Sequence, residues 1–225
     1  MMFWDNWTKY WEAALAACAA QPGEPRTSAK GKTLPRLVVA SPATPSEIEQ
    51  VEQNLGLHLP SAFRNVLMQF SRCVDVAWQL PAGFKPPGEL RKVTSGGCGW
   101  DLNRLAEIDQ GRVKMLRAAF PDRSKPYDAV WHNKLAFYEV PNGDYFAIDL
   151  ATADRAPVVY LSHDDGSGHG YELGVDFVDF IERHSRLGNP GPEDWKWLPF
   201  ATSPQALLDP DGQAGKVWRG WFGLA

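Results

Sequence analysis

Three segments of the chain have apolar patterns that predict β-strands, either by alternation of apolar and polar residues or as short apolar runs. Residues 74–80 alternate strictly, with the apolar side chains on one side of the predicted strand. Residues 135–150 contain two apolar runs on either side of a turn dipeptide, and residues 158–161 (Val-Val-Tyr-Leu) form a further apolar run. Residues 81–99 are rich in proline and glycine and predict a long loop.

The segment at 135–150 predicts a β-hairpin. Its centre is Asn142-Gly143, the dipeptide that favours a two-residue type I′ turn because both positions tolerate positive φ. Folding the runs about this turn pairs Glu139 with Phe146, Phe137 with Ile148 and Leu135 with Leu150. One face is then apolar apart from the glutamate, and the other is mixed. We therefore expect an antiparallel sheet with one covered and one more hydrated face.

The apolar spacing changes to a helical period in the segments before and after these strands. Thr44 and Glu47 form a capping-box pattern, and Gly56 is a natural helix terminator. A second helix is predicted after Leu59-Pro60. Two longer helices are predicted later, one from Asp101 to about residue 120 and one that carries Phe177, Phe180 and Ile181 and ends at the Asn189–Pro192 turn.

The two ends of the chain are rich in tryptophan and lie outside this central pattern. Residues 1–41 predict an amphipathic helix, with large apolar side chains at helical spacing, followed by a proline-rich linker. Leu15–Cys18 has the form of a lipoprotein cleavage motif, but acidic residues interrupt what would be the apolar part of the signal. Residues 189–225 contain six large aromatic side chains, so we expect this tail to pack on the domain or on a partner.

Composition narrows the class of protein. Of the 225 residues, 44% are hydrophobic and 22% are charged, as in ordinary globular proteins. The net charge of −4 does not favour nucleic-acid binding, and no apolar run is long enough to span a membrane. The three cysteines have no CxxC spacing, which argues against a disulfide framework or a zinc site. We expect a cytoplasmic protein.

The sequence contains no recognised catalytic motif. Residues 166–170 form a glycine-rich stretch, but the pattern is not GxGxxG, and two aspartates next to it would repel a phosphate. His163, Asp164, Asp165 and His169 offer metal-ligating atoms within one loop, although flexible polar loops often hold such residues without a metal. We predict no catalytic residue, no metal site and no cofactor, and therefore a protein that is not an enzyme.

Charge distinguishes one part of the chain. Residues 139–182 contain ten acidic side chains and one arginine, a net charge of −9. We predict an acidic partner-binding surface formed by Asp144, Asp164, Asp165, Glu172 and Asp179. An acidic surface would attract a basic partner and speed association.

The order of motifs resembles that of the SUKH superfamily, which includes the Smi/Knr-type cell-wall assembly regulators. The resemblance rests on three features: the Leu59-Pro60 helix pair, the Gly143-Asp144…Asp149 hairpin, and the Pro157-Val-Val-Tyr strand with its Phe177-Val-Asp-Phe180-Ile helix. It indicates a domain at 42–188 between the two tryptophan-rich ends.

The resemblance implies an α+β fold, a mostly antiparallel β-sheet with helices packed against it. It also implies a binding role, that of an immunity protein that neutralises a cognate bacterial polymorphic toxin, such as a nuclease or deaminase, by occluding it. The alternative is a non-catalytic regulatory scaffold whose tryptophan-rich ends recruit another protein. The sequence identifies neither the toxin nor the oligomeric state.

Overall fold

Helices and short strands alternate along the chain. The structure, a computed structural model, describes residues 4–21, 34–151 and 155–224. The helices are α1 (Asp5–Ala19), α2 (Pro45–Leu55), α3 (Ser61–Gln69), α4 (Leu105–Ala119), α5 (Pro126–Trp131), α6 (Phe177–Arg186), α7 (Asp194–Trp197) and α8 (Gln213–Phe222). The strands are β1 (Arg36–Val39), β2 (Cys73–Gln79), β3 (Ser95–Asp101), β4 (Lys134–Glu139), β5 (Tyr145–Asp149), β6 (Val158–Leu161) and β7 (Glu172–Gly174).

The strands form two antiparallel sheets. The first has the order β1-β2-β3 and the second the order β4-β5-β6-β7, so every strand pairs with its neighbour in the chain. The connection between β1 and β2 contains α2 and α3. The predicted α+β class, with antiparallel sheets and packed helices, is confirmed.

Two strands of the first sheet lie where the sequence predicted loops. Strand β1 belongs to the predicted linker, of which residues 22–33 lie outside the described part of the chain. Strand β3 belongs to the predicted 81–99 loop, because its Ser-Gly-Gly-Cys-Gly sequence resembles a flexible segment. The glycines have a structural reason. A Cβ atom at Gly96 would lie 2.1 Å from the carbonyl oxygen of Asn189 and 2.2 Å from the indole ring of Trp78.

The hairpin between β4 and β5 has a different register from the predicted one. Leu135 pairs with Ile148 instead of Leu150, and a bulge lies between Ala136 and Tyr138. The turn is a three-residue connection, Pro141-Asn142-Gly143, in which only the glycine has positive φ, at 96°. The predicted two-residue type I′ turn is therefore wrong. Pro141 favours the longer turn because its ring fixes a negative φ.

Both faces of the second sheet are covered. Phe137, Phe146 and other side chains of one face join the main core with α3 and α6. Ala136, Tyr145 and other side chains of the opposite face form a smaller cluster with α4 and with Trp131. The prediction of a hydrated second face is wrong, because the alanines leave room for α4 to lie close to the sheet.

A buried ion pair fixes α4 on that second face. Arg112 donates to both carboxylate oxygens of Asp109, at 2.7 and 3.1 Å, and also to the backbone carbonyl of Trp131. Asp109 in turn accepts from the backbone N–H of Ala136 in β4. Each buried charge therefore has several hydrogen bonds, which offset the loss of its hydration.

The helix signals in the sequence are confirmed. Thr44 and Glu47 form a reciprocal capping box, Pro45 begins α2, and Gly56 ends it at φ 69°. Asp176 caps α6 by accepting from the backbone N–H of Asp179 at 2.8 Å.

The tryptophan-rich ends pack on the domain. Trp11 donates from its indole nitrogen to the Ser185 hydroxyl at 2.8 Å, and Trp218 donates to the Leu187 carbonyl at 2.7 Å. Together with Trp7 and Trp197, these side chains are almost completely buried. The two hydrogen bonds satisfy the indole nitrogens of Trp11 and Trp218, which burial would otherwise leave without a partner.

Candidate partner-binding site

The predicted acidic surface centres on the loop between β6 and β7, residues 163–170. Tyr127 of α5 forms two hydrogen bonds to this part of the chain. Its hydroxyl donates to the Ser162 carbonyl at 2.6 Å and accepts from the Asp165 N–H at 3.0 Å. The Ser162 hydroxyl accepts from the Gly166 N–H and donates to the Asp164 carboxylate at 2.8 Å. The tip of the loop is therefore fixed by hydrogen bonds to its own base and to a helix.

Asp144 connects this loop to the hairpin turn. One carboxylate oxygen accepts from the backbone N–H of His163 at 2.9 Å and lies 2.6 Å from its Nδ1. The other accepts from the Tyr160 hydroxyl at 2.6 Å and from the Asn142 amide at 2.7 Å. Burial and the bond to this carboxylate both raise the pKa of Tyr160, so the tyrosine keeps its proton and acts as a donor.

Asp144 is 1% exposed, so its predicted place in a partner-contacting surface is wrong. A carboxylate that is buried and surrounded by donors contributes to folding, and a partner cannot reach it. The sequence shows Asp144 beside a turn, but its donors come from Tyr160 and His163 on another strand and loop.

His169 also has a structural role in this loop. Its Nδ1 accepts from the Ser162 N–H at 3.1 Å, so its proton is on Nε2, which donates to the Tyr127 carbonyl at 3.0 Å. The imidazole stacks on the Tyr127 ring with the ring centres 3.8 Å apart. Burial lowers the pKa of His169, and the hydrogen bond to Tyr127 partly opposes this shift. Neither nitrogen is available to a ligand.

Of the remaining predicted residues, Glu172 and Asp179 have cationic partners within the protein. Glu172 pairs with Arg155 at 3.0 Å, and Asp179 pairs with Arg183 at 2.8 Å. Asp179 also accepts from the backbone N–H of Val175. Their charges are largely neutralised, so they contribute little to the attraction of a basic partner.

Asp164 and Asp165 are exposed at the tip of the loop. Neither forms an ion pair with a Lys or Arg side chain of the described residues. Asp165 has a positive φ of 61°, a conformation that aspartate adopts more easily than most residues. The acidic surface therefore narrows from five residues to two adjacent carboxylates.

Asp194 of α7, which the sequence did not single out, lies against this loop. Asp194 is 8% exposed and packs under the loop, where a Cβ atom at Gly166 would lie 2.9 Å from its carboxylate. Burial raises the pKa of Asp194, against hydrogen bonds from the backbone of Trp195 and Gly168. Trp195 follows directly and is 42% exposed, whereas the sequence predicted that the tail aromatics would pack.

The loop contains one group of potential metal ligands among the described residues, Asp144, His163 and Asp164, whose ligand atoms lie within 4.8 Å of one another. This group differs from the four loop residues that the sequence brought together. Both oxygens of Asp144 already accept two protein donors each. A metal ion would have to displace these donors. The geometry is therefore that of a buried carboxylate whose hydrogen bonds hold the loop to the hairpin turn.

The arrangement defines an α+β domain with a fixed acidic loop at one end of its second sheet. Comparison with family models matches residues 42–183, more than half of the chain, to the SMI1 / KNR4 family (SUKH-1). The protein belongs to this family. No curated protein and no solved structure matches the chain. The described residues contain no helix that is both long and apolar enough to cross a membrane.

Proposed function

We propose that this protein is an immunity protein that binds a cognate toxin and blocks it by occlusion, without catalysis. The toxin would be a basic protein that acts on nucleic acid, such as a nuclease or deaminase. Family membership supports a binding role of this kind, and the exposed pair Asp164-Asp165 is the observation that carries the proposal. Occlusion needs a complementary surface and no reacting group.

The loop is suited to rapid recognition because its charge is exposed and its backbone is held in place. Exposed carboxylates attract a basic surface over several ångströms and raise the association rate. A loop that is already ordered does not lose further entropy on binding. Trp195, which follows the loop-packed Asp194 in α7 and is 42% exposed, is the apolar anchor that we infer for the partner.

The test is protection of a bacterial host against the toxin encoded beside this protein. Co-expression should restore growth, and the purified proteins should form a complex with equal numbers of each chain. We expect the double substitution Asp164→Asn and Asp165→Asn to slow association about tenfold at low salt, with a smaller effect at high salt. Trp195→Ala should instead accelerate dissociation about tenfold or more.

A matched control removes the same charge elsewhere. Glu12 and Glu49 are exposed acids of α1 and α2, and converting both to Gln should leave the association rate unchanged. If the two double variants slow association equally, net charge is responsible and the loop is not the contact surface. Absence of both protection and complex would refute the immunity function itself.

The scaffold alternative relied on the tryptophan-rich ends to recruit a partner. Trp7, Trp11 and Trp218 are buried in the domain, which leaves Trp195 as the most exposed indole of the described residues. A stable partner that is harmless when expressed alone would favour the scaffold over the immunity protein.

A further inference from the structure

An open groove of about 430 Å³ lies between α8 and the segment that precedes β3. Its apolar lining includes Leu90 from that segment, Phe200 from the turn after α7, and Val217 from α8. This volume lies in the range of sites that hold small ligands or a few side chains of a peptide.

The groove gives α8 a second apolar face. Trp218 and Phe222 are buried on the first face, which packs on the domain. Ala214 and Val217 face the groove, and Val217 is 42% exposed. Single exposed valines are common, but this valine continues an apolar groove, as happens where a protein binds another chain.

The charged residues in the groove all have the same sign. Glu89 and Asp209 contribute carboxylates to the lining, which contains no Lys, Arg or His among the described residues. Asp209 accepts the backbone N–H groups of Asp211 and Gly212 through one oxygen. Neither Glu89 nor Asp209 pairs with a described cationic side chain.

We propose that this groove binds a short apolar peptide segment that carries a lysine or arginine, supplied by a partner protein. The apolar side chains of the segment would cover Val217 and the small exposed edges of the buried Leu90 and Phe200. Its cation would extend over the apolar surface and place its charge at Glu89 or Asp209, as long basic side chains do. Most of this lining comes from residues 199–217, beyond the 42–183 match, and the groove shares no residue with the acidic loop.

The test is selection of a random 12-residue peptide library on the full-length protein, followed by affinity measurement with the selected peptides. We expect enrichment of peptides that combine apolar residues with Lys or Arg. Val217→Lys should weaken their binding about tenfold or more, and Glu89→Gln about threefold. Lys216→Gln, an exposed change on α8 outside the groove lining, should leave affinity unchanged.

Several outcomes would overturn the proposal. These are the absence of enrichment, enrichment of acidic peptides, and selected peptides that bind the Val217→Lys variant as tightly as the parent. The parent protein could also self-associate in a way that Val217→Lys abolishes. That result would show that a second copy of the chain occupies the groove, and it would also overturn the proposal. Thermal melts of each variant exclude a folding defect. Val217→Lys should keep full protection against the toxin, which separates this inference from the proposed function.

Discussion

Asp144→Ala is the change that most directly tests how the acidic loop is supported. It removes one carboxylate that accepts four hydrogen bonds, from Tyr160, Asn142 and two nitrogens of His163. Tyr160 is completely buried, and a buried donor without an acceptor costs about 1–3 kcal/mol. The other donors are partly exposed and can bind water at lower cost. We expect the free energy of unfolding to fall by about 3 kcal/mol.

Urea denaturation followed by circular dichroism measures this loss, and amide hydrogen exchange in residues 163–169 should accelerate at the same time. Asp144→Asn should lose about 1–2 kcal/mol, because the amide keeps one acceptor oxygen but places its N–H₂ group opposite the Asn142 and Tyr160 donors. Asp165→Asn is the matched control, since it changes an exposed carboxylate of the same loop and should not alter stability. If Asp144→Ala unfolds at the same urea concentration as the parent, the carboxylate does not support the loop.

Three further predictions concern single residues outside the acidic loop. Burial lowers the pKa of His184 to about 4, against about 6.5 in the unfolded chain. The neutral imidazole therefore contributes about 3 kcal/mol to the free energy of unfolding above pH ~6.5, and this contribution is lost as pH falls through ~4. Denaturation between those pH values should therefore show a smaller loss of stability in His184→Phe, and an unchanged pH dependence would contradict the assignment. Gly96→Ala should lower the free energy of unfolding by about 3 kcal/mol, because its Cβ would overlap Asn189 and Trp78. Gly220 is a helical glycine at which an added Cβ would meet nothing within 4 Å. Gly220→Ala should therefore raise the free energy of unfolding by about 0.5–1 kcal/mol in the same denaturation assay. If both alanine variants change the free energy of unfolding in the same direction, the packing at Gly96 does not explain the effect.

Local sequence signals were sufficient to predict most of the helices. The capping box at Thr44 and the glycine at the end of α2 each act within about four residues. Hydrogen bonds over such short separations do not depend on the rest of the fold. Sequence analysis therefore predicted these helix ends correctly.

The missed strands and the wrong hairpin register depend on distant residues. Gly96 of strand β3 lies against Trp78 and Asn189, and neither of these residues is near it in sequence. The bulge in β4 changes which residues pair with β5. Sheet pairing is set by side-chain packing on both faces, and the cover that α4 provides on the second face was not predicted.

The count of ten acids between residues 139 and 182 overstated the charge available to a partner. Ion pairs neutralise Glu172 and Asp179, and burial removes Asp144 from the surface. A count of acidic residues cannot separate carboxylates that stabilise the fold from those that face solvent, because both kinds are Asp or Glu in the sequence. What distinguishes them is the set of donors that folding brings to each oxygen.

This distinction changes what the acidic segment implies for recognition. A broad surface of net charge −9 would attract any basic protein, and discrimination among basic partners would be weak. In the proposed immunity function, two adjacent carboxylates at a fixed loop tip would select a partner with cations at matching positions. Under that proposal, the internal ion pairs and the buried Asp144 would serve specificity as well as stability, because of the five predicted residues they leave only Asp164 and Asp165 exposed without an ion pair.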